Sequence, residues 1–266
     1  MENKKQTILF IGCGNMGKAI LSSLAKNCSN INYAVIDRNY STSHKNITTY
    51  GSIEDLNCTP DVIFLAIKPQ ILPQLKNDLI KITNDNTLII SILAGTNTKQ
   101  IEDIVGKNSK IIRLMPNIAA ISANSTSSCF FNKNINQADR NFATSLFKSF
   151  GICEILSDEY DMHISTLING GAIAYFALII KYLKQAALKN AKSLTESQIN
   201  SLIYNTYENL LELNKTEDDV ISLICSKKGT TESVIESLNN QNLENIIANA
   251  IEKGMERSKE LEKNTK

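Results

Sequence analysis

The fold of this chain is decided by the stretch Thr7-Ile8-Leu9-Phe10-Ile11-Gly12-Cys13-Gly14-Asn15-Met16-Gly17-Lys18-Ala19-Ile20-Leu21-Ser22-Ser23-Leu24. Its first five residues are apolar or β-branched, which predicts a strand buried on both faces. Ala19, Ile20 and Leu24 then recur at helical spacing. The stretch is therefore typical of a strand that turns directly into a helix.

Three glycines with the spacing G-x-G-x-x-G lie at the junction of the strand and the helix. In this context Gly12 permits a tight turn, Gly14 lets the backbone approach a pyrophosphate, and Gly17 lets the helix pack closely on the strand. The phosphates would lie at the helix N-terminus, among unpaired N–H groups. The pattern predicts a dinucleotide site; the alternative is an ordinary glycine-rich turn in another kind of α/β protein.

An acidic residue completes this pattern. Asp37 closes the next apolar run, Tyr33-Ala34-Val35-Ile36, and lies 37 − 17 = 20 residues after Gly17. A carboxylate at this distance typically binds the ribose hydroxyls of the adenosine. Asp37 would repel a 2′-phosphate and favour NAD, whereas Arg38 would pair with that phosphate and favour NADP. The sequence leaves the choice between NADP and NAD open.

Composition sets bounds on the possible partners. The 266 residues contain 28 Lys and Arg against 27 Asp and Glu, a net charge of +1, so no strong field recruits nucleic acid or an anionic membrane. The six cysteines form no C-x-x-C pair and there are two histidines, which argues against a metal site and a disulfide framework. Together with the polar start Met1-Glu2-Asn3-Lys4-Lys5, this predicts a cytoplasmic protein.

Strands alternate with helices over the first half of the chain. Buried strands are predicted at 61–67, 87–93 and 110–114, and further strands at 127–132 and 152–156. A helix over 98–105 and one over 137–150, with Gly151 as its C-cap, are predicted between them. Alternation of this kind predicts an α/β Rossmann-like, doubly wound parallel sheet, which we assign to residues 1–158.

The remaining residues, 159–266, are predicted to form an all-α substrate-binding and dimerisation domain. No proline follows Pro116. The segment from Met162 to Leu188 is strongly apolar, but Lys181 and Lys184 interrupt it, so it is too short for a membrane span. We expect a buried central helix, part of which packs against a second subunit. Further helices are predicted from 195 to 213, from 216, from 232 to 238 and from 243 to 261.

The order of these motifs resembles that of the pyrroline-5-carboxylate reductase family, whose members reduce a cyclic imine to proline with hydride from a nicotinamide cofactor. The resemblance runs nearly from end to end. The residues that carry it are Ile11-Gly12-Cys13-Gly14-Asn15-Met16-Gly17, Leu65-Ala66-Ile67-Lys68-Pro69-Gln70, Arg113-Leu114-Met115-Pro116-Asn117, Ala174-Tyr175, Gly229-Thr230-Thr231 and Arg257-Ser258-Lys259-Glu260-Leu261.

The resemblance implies a two-domain subunit that dimerises through its helical domain, with dimers often assembled into rings. It implies a small-molecule imine as the substrate and NADP or NAD as the cofactor. By position, the cofactor would contact Gly12, Gly14, Asn15, Met16, Gly17, Ala66, Lys68, Pro69 and Ala94, in addition to Asp37 and Arg38. The substrate would contact Asn169, Tyr175, Gly229, Thr230 and Thr231, with Thr231 as the catalytic polar group beside the imine nitrogen.

The position of Thr231 in the sequence supports its role beside the imine nitrogen independently of the resemblance. Gly229-Thr230-Thr231 precedes a predicted helix, where N–H groups would bind the substrate carboxylate while a hydroxyl contacts the ring nitrogen. The alternative is that Thr230 or Thr231 is only the N-cap of that helix.

Two substrate motifs depart from the family pattern. The chain has Asn169-Gly170-Gly171-Ala172-Ile173-Ala174-Tyr175 where the family has Ser-Gly-Ser-Gly-Pro-Ala-Tyr. Lys227 and Lys228 replace the proline and the first glycine of Ser-Pro-Gly-Gly-Thr-Thr. Two other functions therefore stay open beside reduction of pyrroline-5-carboxylate. One is reduction of a different cyclic imine, and the other is a non-catalytic dimer that binds a dinucleotide.

Overall fold

The computed structural model describes residues Lys5 to Lys263 and divides into two compact units. The first unit contains the residues up to Gly170 together with those from Gly254 onward. The second unit is Gly171–Lys253.

The first unit is built on one eight-stranded sheet. Its strands are β1 (Gln6–Ile11), β2 (Ile31–Ile36), β3 (Ile47–Tyr50), β4 (Val62–Leu65), β5 (Leu88–Ser91), β6 (Lys110–Met115), β7 (Ser125–Phe131) and β8 (Gly151–Ile155). Their order in the sheet is β3-β2-β1-β4-β5-β6-β7-β8, and every neighbouring pair is parallel except β6 and β7. The Rossmann-like parallel sheet is thus confirmed, with one antiparallel pair inside it.

Helices cover both faces of this sheet. They are α1 (Asn15–Asn27), α2 (Lys76–Ile82), α3 (Thr98–Val105), α4 (Gln137–Lys148) and the short α5 (Met162–Ser165). Strand β1 is buried on both faces as predicted, because Ile8 and Phe10 enter one apolar cluster and Leu9 and Ile11 enter the other.

Gly151 is not the C-cap of α4, contrary to the prediction. The cap is Ser149, and Gly151 begins β8. Its φ is +149°, and a Cβ at this position would lie 2.0 Å from the Ser125 carbonyl oxygen. The glycine is therefore needed for the close approach of β8 to β7.

The second unit is helical, and contains α6 (Ala172–Asn190), α7 (Glu196–Glu212), α8 (Glu217–Ile224), α9 (Thr230–Asn240) and the first part of α10 (Leu243–Lys263). The Thr195 side chain accepts a hydrogen bond from the Gln198 N–H and starts α7, as the predicted capping box requires. The Lys184 Nζ lies 2.7 Å from a carboxylate oxygen of Glu196 and joins α6 to α7.

Helix α6 is not buried within the single chain, contrary to the expectation of a buried central helix. None of its residues is buried, although most are apolar. The continuous helical stretch Glu159–Asn190 is long and apolar enough to cross a membrane by length and composition, with 11% of the apolar window buried. The apolar surface of α6 therefore stays largely uncovered among the described residues.

The sequence predicts the domain boundary after residue 158. In the structure the first compact unit continues to Gly170 and also includes the end of α10, from Gly254 onward. Hydrogen bonds explain the difference. Glu159 accepts hydrogen bonds from the N–H and hydroxyl of Thr98, and His163 Nδ1 lies 2.8 Å from the Ser258 hydroxyl. The assignment of 1–158 and 159–266 as the domains stays a prediction.

Candidate functional site

The glycine turn connects β1 to α1 at the carboxyl edge of the sheet. Gly12 has a φ of +82°, and a Cβ there would lie 2.6 Å from the Ala66 carbonyl oxygen. A Cβ at Gly17 would lie 3.2 Å from the Ala66 Cβ, whereas a Cβ at Gly14 would meet nothing within 4 Å. A side chain at Gly12 or Gly17 would therefore crowd Ala66, the residue that follows β4. Gly14 instead leaves open space beside the turn.

The N-terminus of α1 is free to receive an anion. Its N-cap is Gly14, no side chain caps it, and no acidic residue occupies its first turn. The first N–H groups of an α-helix have no intrahelical acceptors, and the helix dipole favours negative charge there. Open space at Gly14 and uncapped N–H groups together fit a pyrophosphate.

Asp37 binds the glycine turn directly. Its Oδ2 accepts the Cys13 N–H at 2.7 Å, and its Oδ1 accepts the Asn39 N–H at 2.8 Å. Burial, reinforced by the Asp37 charge, raises the pKa of the Cys13 thiol to about 12. Cys13 is therefore neutral at physiological pH and is not a nucleophile.

A cavity of about 520 Å³ opens beside Asp37. Apolar side chains line one part of it and the ends of β1 and β2 line another; the residues include Ile36, Asp37, Arg38, Ile67, Ile71 and Leu75. Apolar walls suit an adenine base, and a carboxylate at the end of β2 suits the ribose hydroxyls. The residues present thus fit the adenosine half of a nicotinamide dinucleotide.

The other predicted cofactor residues lie along the same edge of the sheet. Asn15 and Met16 begin α1. Ala66 and Lys68 follow β4, and Pro69 begins the 3₁₀ turn Pro69–Leu75. Ala94 follows β5 and is exposed. The fold therefore brings all the predicted cofactor residues to the carboxyl ends of β1, β2, β4 and β5.

From the sequence, Arg113 belongs to a motif and has no role of its own, whereas the structure buries its side chain. Arg113 in β6 has a side chain 1% exposed, and its Nη1 lies 3.3 Å from Glu159 and 3.2 Å from Glu262. Asn97 also donates to Glu262 at 2.9 Å. The signal available in the sequence is a charged residue between the apolar pairs Ile111-Ile112 and Leu114-Met115.

Asn169 lies in a π-helical segment, Thr166–Gly171, within the first unit. Its amide nitrogen donates to the hydroxyls of Ser128 at 2.6 Å and Ser165 at 3.1 Å. The side-chain donor of Asn169 is thus already engaged by two serines. Its role in binding a substrate stays a prediction.

The remaining predicted substrate residues belong to the second unit. Tyr175 lies in α6 and is 40% exposed. Gly229 is the N-cap of α9, and Thr230 and Thr231 are the first two residues of this helix. The alternative that either threonine is the N-cap is therefore wrong. No side chain caps α9, and both threonines are exposed.

Lys228 has a φ of +62°, in the left-handed region that favours glycine. Its N–H donates to the Glu232 carboxylate. The backbone thus keeps a glycine-like conformation although the side chain is a lysine. Among the described residues, no group of three or more His, Cys, Asp or Glu side chains is arranged to hold a metal.

Comparisons with known proteins match both halves of the chain. Residues 159–261 match the family model described as pyrroline-5-carboxylate reductase dimerisation, and residues 7–95 match the model described as NADP oxidoreductase coenzyme F420-dependent. The pyrroline-5-carboxylate reductase of Pasteurella multocida is 27% identical, over 97% of this chain and 98% of its own length. That of Escherichia coli is 27% identical, over 99% of this chain and 100% of its own length.

A solved structure agrees with these matches. The pyrroline carboxylate reductase of Plasmodium falciparum, crystallised with NADP bound, superposes with a TM-score of 0.85 at 28% identity. The superposition covers 98% of this chain and 99% of that one. The similarity therefore extends over both units and is not confined to the sheet.

Proposed function

Since the chain belongs to the pyrroline-5-carboxylate reductase family, we propose that it reduces 1-pyrroline-5-carboxylate to L-proline with hydride from NADH or NADPH. It is an NAD(P)-dependent oxidoreductase that acts on a C–N double bond. The observation that carries the proposal is the nearly full-length match to reductases of this name, over chains of equal extent. The geometry of the glycine turn gives it a physical basis. Formation of proline makes this the last step of proline biosynthesis.

The cofactor is held by the first unit. The N–H groups at the start of α1 bind the pyrophosphate, with Gly14 leaving room for it, and Asp37 accepts hydrogen bonds from the adenosine ribose. Asn15, Met16, Arg38, Ala66, Lys68, Pro69 and Ala94 line the rest of the cofactor site. The reduced nicotinamide supplies the hydride.

The substrate is held by the start of α9. The uncapped N–H groups after Gly229 donate hydrogen bonds to the substrate carboxylate, since an anion is favoured at a helix N-terminus. The Thr231 hydroxyl donates a hydrogen bond to the ring nitrogen and orients the imine carbon. The reaction adds hydride to this carbon and a proton to the nitrogen. Asn169, Tyr175 and Thr230 complete the contacts with the substrate.

The working form is a homodimer joined through the helical unit. Helix α6 exposes Phe176, Ile179 and Leu183 by more than half, and an apolar groove of about 900 Å³ runs between α6, α7 and α8. Burying such a surface against a second copy of the chain stabilises a dimer relative to the isolated chain. Dimers assemble further into a ring. A net charge of +1 suits a cytoplasmic enzyme without nucleic-acid or membrane partners.

One observation favours a second candidate, reduction of a different cyclic imine. Lys228 occupies a left-handed position that glycine takes in the resembling motif, so its long side chain stands next to the carboxylate-binding turn. A larger ring, or a second carboxylate on the ring, would change how this lysine meets the substrate.

A steady-state assay of the purified full chain tests both candidates. The substrates are 1-pyrroline-5-carboxylate and a panel of five- and six-membered cyclic imines that carry a carboxylate, each with NADH and with NADPH. Highest kcat/KM with 1-pyrroline-5-carboxylate is the expected result. A higher value with another imine would favour the second candidate. Cofactor binding without turnover of any imine would identify a non-catalytic dimer. Light scattering of the same sample measures the oligomer, and a monomer would contradict the proposed assembly.

A further inference from the structure

The wall of the cavity beside Asp37 is unevenly charged. Three carboxylates line it, those of Asp37, Glu54 and Asp78, whereas Arg38 supplies the single positive charge among the lining residues, all of which belong to the described part of the chain. Adenosine is neutral apart from any phosphate on its ribose. The charge of the cavity lining therefore affects the relative affinity for NADH and for NADPH, which carries a phosphate on the 2′-oxygen of that ribose.

Asp37 is held firmly in this wall. Each of its oxygens accepts one backbone N–H, from Cys13 at 2.7 Å and from Asn39 at 2.8 Å. A carboxylate oxygen has two acceptor sites, so each oxygen keeps one site for a ribose hydroxyl. The carboxylate is thus prepared to bind two hydroxyls without rearrangement. A 2′-phosphate is mainly a dianion at neutral pH, so it has almost no proton to donate to these acceptors.

The other charged groups do not cancel this bias. Asp78 is paired with Lys81 at 3.5 Å, so its charge is partly offset. Glu54 is ionised, because hydrogen bonds from its own backbone N–H and from the Ser52 hydroxyl lower the pKa of its carboxyl. Lys18 is placed over the Tyr40 ring, 5.9 Å from its centroid. If the paired Asp78 is not counted, the cavity lining still has two carboxylates, those of Asp37 and Glu54, and one guanidinium, that of Arg38.

We infer that this chain prefers NADH to NADPH, and that the Asp37 carboxylate is the group that selects between them. The inference rests on the proposed function, because it concerns the cofactor of that reaction. Repulsion between Asp37 and a 2′-phosphate, together with the loss of the hydrogen bond that the 2′-hydroxyl donates, disfavours NADPH. At an exposed site this amounts to about tenfold in dissociation constant.

The test is a binding titration without any imine. The full chain is titrated with NADH and with NADPH, and binding is followed by the fluorescence of the reduced nicotinamide at moderate salt. We expect NADPH to bind about tenfold more weakly than NADH. Equal or tighter binding of NADPH would overturn the inference and leave the proposed function standing. Binding of neither cofactor would overturn both.

Variants identify the residue responsible. Asp37→Asn keeps one acceptor for the Cys13 N–H and removes the charge, so the NADPH-to-NADH ratio of dissociation constants is expected to fall at least about threefold. Glu54→Gln removes an exposed charge and is expected to lower the ratio in the same direction by a smaller factor. Asp85→Asn, at an exposed loop position outside the cavity lining, is the matched control and is expected to leave the ratio unchanged. An unchanged ratio in a folded Asp37→Asn protein would overturn the assignment. If Asp37→Asn does not fold, the Glu54→Gln and wild-type ratios decide.

Discussion

The guanidinium of Arg113 lies 3.2 Å from the carboxylate of Glu262, and this ion pair joins a central strand to the last turn of α10 across 149 residues of sequence. Arg113 also meets Glu159, where the chain leaves the sheet. Both ends of the helical segment are thereby held to β6. Its Nε and Nη2 atoms are buried and have no hydrogen-bond partner among the described residues. The arginine consequently depends on these two carboxylates.

Replacing Arg113 by Met is expected to destabilise the protein by about 3 kcal/mol, because removing one partner of a buried ion pair leaves the others uncompensated. Urea unfolding measures the change. The matched control is Arg257→Ala in the same last helix. The Arg257 pair with Glu260 is 64% and 61% exposed, so the cost there is expected to be below about 0.5 kcal/mol. Equal effects of the two substitutions would contradict the structural role of Arg113.

His163 is expected to make stability fall in mild acid. Burial lowers the pKa of this histidine below its ordinary value of 6.5, and Arg113 and Lys259 act in the same direction, whereas Glu262 and Glu159 oppose them. The folded protein therefore binds fewer protons than the unfolded chain in this range. The contribution of His163 to stability is complete above about pH 6.5 and is lost as the pH falls through the lower folded pKa.

Unfolding free energies at pH 7.5 and 5.5 check this. His163→Gln is expected to reduce the loss of stability between the two pH values. His44→Gln, at the exposed second histidine, is the control and is expected to leave the loss unchanged. A loss of the same size in wild type and His163→Gln would show that another group titrates.

Alanine substitutions at Gly12 and Gly14 are expected to affect different properties, the first stability and the second cofactor affinity. Gly12→Ala forces a side chain into a φ of +82° and against the Ala66 carbonyl, so stability is expected to fall by at least about 2 kcal/mol. Gly14→Ala meets open space and an ordinary φ of −67°, so the protein is expected to stay stable and bind the cofactor more weakly. Urea unfolding and cofactor titration of both variants separate the two effects. Loss of stability in Gly14→Ala with unchanged affinity would contradict the assignment.

Local patterns were sufficient to predict the sheet and the cofactor turn. The apolar run ending at Ile11, the glycine spacing and Asp37 all act over short distances, and the structure places them together. Gly151 was misassigned because its need for glycine comes from Ser125, a strand neighbour distant in sequence. The Arg113 pairs also join residues far apart in sequence. The apolar composition of helix α6 predicts that its surface is buried. Composition does not say whether the covering residues belong to the same chain, so the exposure of α6 within this chain could not be predicted.

Thr231 is the residue on which the proposed chemistry depends most. It lies in the first turn of α9 without serving as its cap, so its hydroxyl is free of a structural task there. Thr231→Ala is expected to lower kcat by about 10²-fold, as loss of one positioned donor does, and to leave the cofactor dissociation constant unchanged. Thr231→Ser keeps the hydroxyl and is expected to recover most of the activity. Ser233→Ala, at an exposed position in the same first turn of α9, controls for helix stability, and its kcat is expected to stay near that of the wild type. Full activity of Thr231→Ala would remove the hydroxyl from the mechanism, because the imine nitrogen would then need no donor at this position.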